Sequence, residues 1–193
     1  VIFHNLECNK IETYATYLTI YSMLHIVTGC MFAGKTTELI NTYNRLTPSQ
    51  TVLVIDYDTG SKKALDNFYL STHDGIIVPS MNLSVIDKIC TYYDVLLINE
   101  AQFFKGLKEF VIEEVKKGKI VYLFGLDGDF KQEKFGEILD LIPLADTYVK
   151  LYAKCECGAN ASFSKRLSTS ADQYGPYDKY IAVCRKCLPI HVA

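Results

Sequence analysis

Four stretches of the chain are apolar at nearly every position. They are Met23 to Val27 (MLHIV), Thr51 to Tyr57 (TVLVIDY), Asp94 to Glu100 (DVLLINE) and Lys119 to Gly128 (KIVYLFGLDG). A strand that is apolar on both faces is buried on both, as in a parallel sheet. Between these stretches, KTTELINTYNRL (Lys35 to Leu46), LSVIDKICTYY (Leu83 to Tyr93) and KGLKEFVIEEVKKG (Lys105 to Gly118) read as helices. The last closes on lysines and a glycine, which suits the negative end of a helix dipole and a left-handed C-terminal turn. IIVPS (Ile76 to Ser80) reads as one short strand, and the polar run from Asp58 to Gly75 as an exposed loop. The alternation predicts an α/β fold, a parallel sheet with helices on both faces.

The pattern fades after Pro143, where short segments surround two cysteine pairs. The chain therefore divides into an N-terminal extension over residues 1–21, a main α/β domain over 22–147 and a small module over 148–193. The extension carries no clear period and no motif.

Charge and composition narrow the classes of partner. The 193 residues carry a net charge of −2, which argues against nucleic-acid or membrane binding by electrostatics alone. No apolar run reaches the ~18 residues of a membrane helix, and TYLTIYSMLHIVTG lacks the basic flank of a signal peptide. The expected location is the cytoplasm.

GCMFAGKT (Gly29 to Thr36) matches the phosphate-loop pattern G-x-x-x-x-G-K-[ST], between a predicted strand and a predicted helix. Glycines let the backbone N–H groups of Gly29, Cys30, Met31, Phe32, Ala33 and Gly34 turn toward phosphate oxygens at the positive end of the helix. Lys35 would reach the β- and γ-phosphates, Thr36 would ligate Mg²⁺, and Thr37 completes the ATP-binding segment. Such enzymes commonly hold Mg²⁺ through an acid at the end of a neighbouring strand. Here that strand ends in Asn99, whose amide oxygen brings no charge, and Asp58 is a candidate for part of it. Glu100 is either a general base for an attacking hydroxyl, a solvated carboxylate that ends the strand, or a metal ligand.

Seven cysteines are present, four of them as Cys155-x-Cys157 and Cys184-x-x-Cys187. In a chain of this size the pairs read as ligands of a structural Zn²⁺, with free buried thiols as the alternative. The segment between them carries Gly175-Pro176, Tyr177 and Tyr180, which suits a loop closing over a small ligand.

Taken in order, MFAGKTTEL, STHDG, EAQFF, GLDGDF, FGEILDLIPLAD, ASFSKRL and DKYIAVCRKC resemble the thymidine kinases of the cellular and poxvirus type, from about Met23 to Leu188. The resemblance implies a P-loop domain joined to a zinc domain whose lasso loop covers the nucleoside. It implies phosphoryl transfer from ATP to the thymidine 5′-hydroxyl, giving dTMP for nucleotide salvage and DNA synthesis. Glu100 takes the place of the catalytic base, with Arg166 as a candidate for added positive charge. Met31, Phe103, Leu126, Phe130 and Phe135 match residues around the base. Ser164 and Tyr180 fall at further contact positions, and Gln173 and Gly175 at lasso positions whose backbone bonds the pyrimidine. The four paired cysteines match zinc ligands, and the resemblance also implies a homotetramer and feedback inhibition by dTTP.

This chain departs from that family at several places. Asn99 stands for the usual aspartate, Gly60 for an arginine and Cys30 for a proline; the first cysteine pair is shortened, and paired lasso glycines have become Gly175-Pro176. Two alternatives follow: a deoxynucleoside kinase of broader specificity, and a nucleotide-binding protein of weak catalysis.

Overall fold

The computed structural model describes residues 22–58, 68–71, 75–86, 92–167 and 180–188. In chain order the elements are β1 (Met23–Gly29), α1 (Lys35–Leu46), β2 (Val52–Tyr57), β3 (Tyr69–Ser71), β4 (Ile77–Pro79) and β5 (Met81–Leu83). Then come β6 (Val95–Ile98), α2 (Leu107–Lys116), β7 (Ile120–Gly125) and a 3-10 segment, Ile138–Leu144. The chain ends with β8 (Thr147–Leu151), β9 (Ala153–Lys154), β10 (Asn160–Ala161), β11 (Phe163–Arg166) and β12 (Tyr180–Val183). The N-terminal extension lies outside the described residues, as do residues 87–91 within the helix expected over Leu83 to Tyr93.

Six strands form one sheet in the order β5-β2-β6-β7-β1-β8, and every pairing is parallel. Alternation along each strand divides the core in two. On one face Leu39 and Ile40 of α1 cover Val54, Val95, Leu97 and Phe124. On the other, Leu107, Phe110 and Val111 of α2, with Ile138 and Leu141, cover Leu24, Ile26, Ile55, Leu96, Ile98 and Leu123. Each fully buried aliphatic side chain adds about 1.5–3 kcal/mol, so these two layers hold the strand ends in place. Glu137 reaches the N-terminus of α2, accepting from the Gly106 N–H at 3.1 Å and the Lys108 N–H at 2.9 Å. A carboxylate there offsets the helix dipole and satisfies donors the helix leaves open.

Three differences from the expected elements concern edges. The region expected as loop over Asp58 to Gly75 contains β3, which pairs antiparallel with β4. Leu83, the first residue of the expected helix, instead ends β5, which closes the outer edge of β2 by pairing Ile55, Asp56 and Tyr57 with Met81, Asn82 and Leu83. On the far edge β8, not marked as a strand by the sequence pattern, pairs with β1 and carries the main sheet to Leu151. Among the described residues no helix is long and apolar enough to cross a membrane.

Candidate active site

The phosphate loop leaves β1 and enters α1 through Gly34, whose φ of 85° lies in the left-handed region that favours glycine. Lys35 is buried, and its Nζ donates to the Cys30 carbonyl at 2.8 Å, across the mouth of the loop. Burial pushes its ammonium below the ordinary range, and the Glu100 carboxylate is the strongest charge opposing that shift. The Met31 N–H donates to Ser164 Oγ at 2.9 Å, and Cys30 Sγ donates to the Ala161 carbonyl at 3.3 Å. These bonds tie the loop to β10 and β11. Cys30, at the position where the resembled family has proline, packs in one cluster with Ala153, Cys155, Ala161, Val183, Cys184 and Leu188.

Glu100 stands just past the tip of β6 with φ 50° and ψ 38°, a left-handed conformation unusual for a residue with a side chain. Such strain persists only where surrounding contacts enforce it, and it concentrates at functional sites. Gln102, 2% exposed, donates its Nε2 to Glu100 Oε2 at 2.7 Å and accepts the Leu126 N–H on its Oε1 at 2.9 Å. The carboxylate is thus held from one side by an amide anchored to the chain after β7. Asn99, one residue earlier, is buried and donates its Nδ2 to Asp56 Oδ1 at 2.8 Å. Asp58 follows β2 and donates its N–H to the Leu83 carbonyl at 2.9 Å. Asp56 and Gln102 were not among the residues singled out from sequence. The available signals were a lone acid in an apolar strand and a glutamine two residues past a strand-end glutamate.

Met31, Leu126, Phe130, Phe135, Ser164 and Tyr180 line one pocket, together with Gly128 and Asp129. Phe103 adjoins it, edge-on to Phe135 at 5.2 Å between ring centroids and stacked on Tyr57 at 5.0 Å. Arg166 places its guanidinium over the Phe130 ring at 4.8 Å, on the aromatic wall. Asp129 shapes the turn that presents Phe130, accepting the N–H groups of Lys131 at 2.8 Å and Glu133 at 3.0 Å. Gln173, Gly175 and Gly60 lie outside the described residues. Phe130 and Phe135 give the pocket an aromatic wall, a lining suited to contact with a planar ring.

The sulfur atoms of Cys155, Cys157, Cys184 and Cys187 all lie within 4.8 Å of one another, and those of Cys157 and Cys184 are 3.6 Å apart. Two tight turns bring them together: the Gly158 N–H bonds the Cys155 carbonyl at 2.8 Å, and the Cys187 N–H bonds the Cys184 carbonyl at 3.0 Å. Backbone N–H groups at Cys184 and Cys157 pull Cys155 down to about 6, while hydrogen bonds among the thiols push Cys187 up to about 12. Four clustered sulfurs cannot all ionise unaided, and a tetrahedral divalent ion is what such a donor set can hold.

A family model described as thymidine kinase matches residues 22–188. The chain is 42% identical over 177 residues to a thymidine kinase of Oryza sativa subsp. japonica, covering 84% of this chain and 65% of that protein. It is 39% identical over 171 residues to the thymidine kinase of Myxoma virus (strain Uriarra), covering 85% of this chain and 94% of the viral protein. It is 36% identical over 173 residues to thymidine kinase 1 of Dictyostelium discoideum, covering 85% of this chain and 76% of that protein.

Proposed function

We propose that this chain, which belongs to the thymidine kinase family, transfers the terminal phosphoryl group of ATP to the 5′-hydroxyl of thymidine. The observation that carries the reading is the position of Glu100. Its carboxylate acts electrostatically on the phosphate-loop Lys35 and is bonded to Gln102, which holds Leu126 at the wall of the aromatic pocket.

In this reading residues 29–37 bind the triphosphate, and Lys35 neutralises charge on its terminal oxygens. Thr36, Asp58 and Asn99 form the magnesium side; Mg²⁺ bound with ATP screens the β- and γ-oxygens. Glu100 orients the 5′-hydroxyl and accepts its proton as the oxygen attacks phosphorus. Arg166 adds positive charge near the acceptor while its guanidinium braces Phe130. Met31, Phe103, Leu126, Phe130, Phe135, Ser164 and Tyr180 receive the thymine ring, and the backbone at Gln173 and Gly175 bonds its polar edge. In this reading the pocket excludes bulky purines sterically.

The four thiolates hold Zn²⁺ as a closed structural site that fastens β9 and β10 to β12. The reading extends to a cytoplasmic homotetramer in nucleotide salvage, with dTTP as feedback inhibitor. An acceptor panel tests it: labelled ATP with Mg²⁺ is offered thymidine, deoxyuridine, deoxycytidine, deoxyadenosine or no nucleoside. Thymidine monophosphate should be the main product. Equal transfer to all pyrimidine deoxynucleosides would contradict the specificity, and transfer to none would contradict the activity.

A further inference from the structure

Asn99 carries no charge, but a carboxylate lies against it. Asp56 on β2 and Asn99 at the end of β6 are 3% and 4% exposed, and Asn99 Nδ2 stands 2.8 Å from Asp56 Oδ1. The Asn99 N–H bonds the Ile55 carbonyl at 2.8 Å, so the parallel ladder still holds at this residue. The alternation that turns Val54 and Leu97 toward α1 therefore turns Asp56 and Asn99 the same way, at the sheet end where the phosphate loop sits. An ionised carboxylate only accepts hydrogen bonds. The amide must accordingly offer its NH₂ to Asp56 and turn Oδ1 away. Without that partner the two amide orientations would compete. One of them would aim donors where a hydrated cation, whose waters themselves donate, needs acceptors.

We propose that Asp56 is a positioning residue for the metal of the phosphate site. It holds Asn99 Oδ1 toward the magnesium shell and supplies the negative charge that the amide lacks, so that the pair acts as one acid spread over two strands. The proposal rests on the ATP-dependent reading above. It also changes what the departure at Asn99 means: replacing Asn99 by aspartate would set two carboxylates at hydrogen-bond distance, a repulsive arrangement and not a gain.

Four proteins test this: the wild type, Asp56→Asn, Asn99→Asp, and the double variant Asp56→Asn/Asn99→Asp. Each is measured for melting temperature without nucleotide and for the Mg²⁺ dependence of ATP binding. Asn99→Asp should melt below the wild type, and the double variant, with donor and acceptor exchanged, should regain the loss. Asp56→Asn should raise the Mg²⁺ concentration for half-maximal ATP binding by about 10–100-fold, the usual effect of losing a partner that orients a metal ligand. The double variant should return it to the wild-type value or below. A pair with a structural role only would give the melting pattern with an unchanged Mg²⁺ dependence, and that result overturns the proposal. An Asn99→Asp protein as stable as the wild type overturns it too. If Asp56→Asn does not fold, the double variant decides, because a Mg²⁺ requirement above the wild type would contradict the exchange. Binding is the readout, so wild-type protein that binds Mg·ATP and phosphorylates no nucleoside would sink the kinase reading and leave this test intact.

Discussion

Gln102 holds Glu100 by a 2.7 Å hydrogen bond from Nε2, while its own Oε1 is fixed by the Leu126 N–H at 2.9 Å. One buried amide thus couples the end of β6 to the chain leaving β7, and sets the carboxylate on which the proposed proton transfer depends.

Gln102→Ala frees Glu100 and leaves the Leu126 N–H unpaired in the interior. Turnover should fall about 10²-fold through misplacement of the base, and stability by about 1–3 kcal/mol. The KM for ATP should change little, since the side-chain hydrogen bonds of Gln102 among the described residues go to Glu100 and Leu126 and not to the phosphate loop. Steady-state kinetics beside thermal melts separate the two effects. Gln102→Glu should be no better, because it sets a second carboxylate against Glu100.

The backbone beneath this arrangement makes a similar demand. Gly136 has φ +64°, and a Cβ there would lie 2.1 Å from the carbonyl oxygen of Gln102. Gly136→Ala should therefore lower both melting temperature and turnover by displacing Gln102. Gly118 has φ +88° with nothing within 4 Å, so Gly118→Ala should cost about 1 kcal/mol and leave turnover unchanged. Equal turnover losses in the two variants would detach Gly136 from the site.

The cysteine cluster gives a prediction about metal. Emission spectroscopy should find one zinc per chain in the wild type and none in Cys184→Ser. Because Cys30 of the phosphate loop packs with Cys155 and Cys184, chelation should lower the melting temperature and weaken nucleoside binding. A chelated protein with unchanged melting would remove the metal from the structural account.

Lys35 carries a pH signature. Burial holds its folded pKa below the ordinary lysine value of 10.5 that applies in the unfolded chain. Between those two values the unfolded state binds the extra proton, so this group makes stability rise with pH across that window. Below it the lysine is charged in both states, and burying that charge costs stability. Lys35→Met should flatten the rise in urea midpoint as pH approaches 10.5, as well as abolish transfer. Parallel midpoint curves for the two proteins would show that burial of the charge has no such cost.

Much of this organisation was legible because it depends on local pattern. The strands β1, β2, β6 and β7 are apolar on both faces, and α1 occupies Lys35–Leu46 as read, between its glycine entry and the TPSQ turn. The phosphate loop and the cysteine pairs were visible for a related reason: each concentrates its donors within a few residues. Edge strands escaped. In β8, Tyr148 and Val149 are 42% and 48% exposed, so no alternation or continuous apolar run marks it. Strand order also escaped, since the insertion of β7 between β1 and β6 is set by crossovers and not by any local period. The pairing of Asp56 with Asn99 and the reach of Gln102 to Leu126 depend on that order. Both join segments at the ends of different strands, and each looks ordinary in its own segment.

The most direct test of the central claim compares wild type and Glu100→Gln for binding of Mg·ATP and thymidine and, separately, for transfer of labelled phosphate to thymidine. The account predicts nearly equal binding, with turnover reduced about 10²–10⁴-fold in the variant, the worth of a general base. Equal turnover in both proteins would contradict it, because the carboxylate of Glu100 would then have no part in moving the proton.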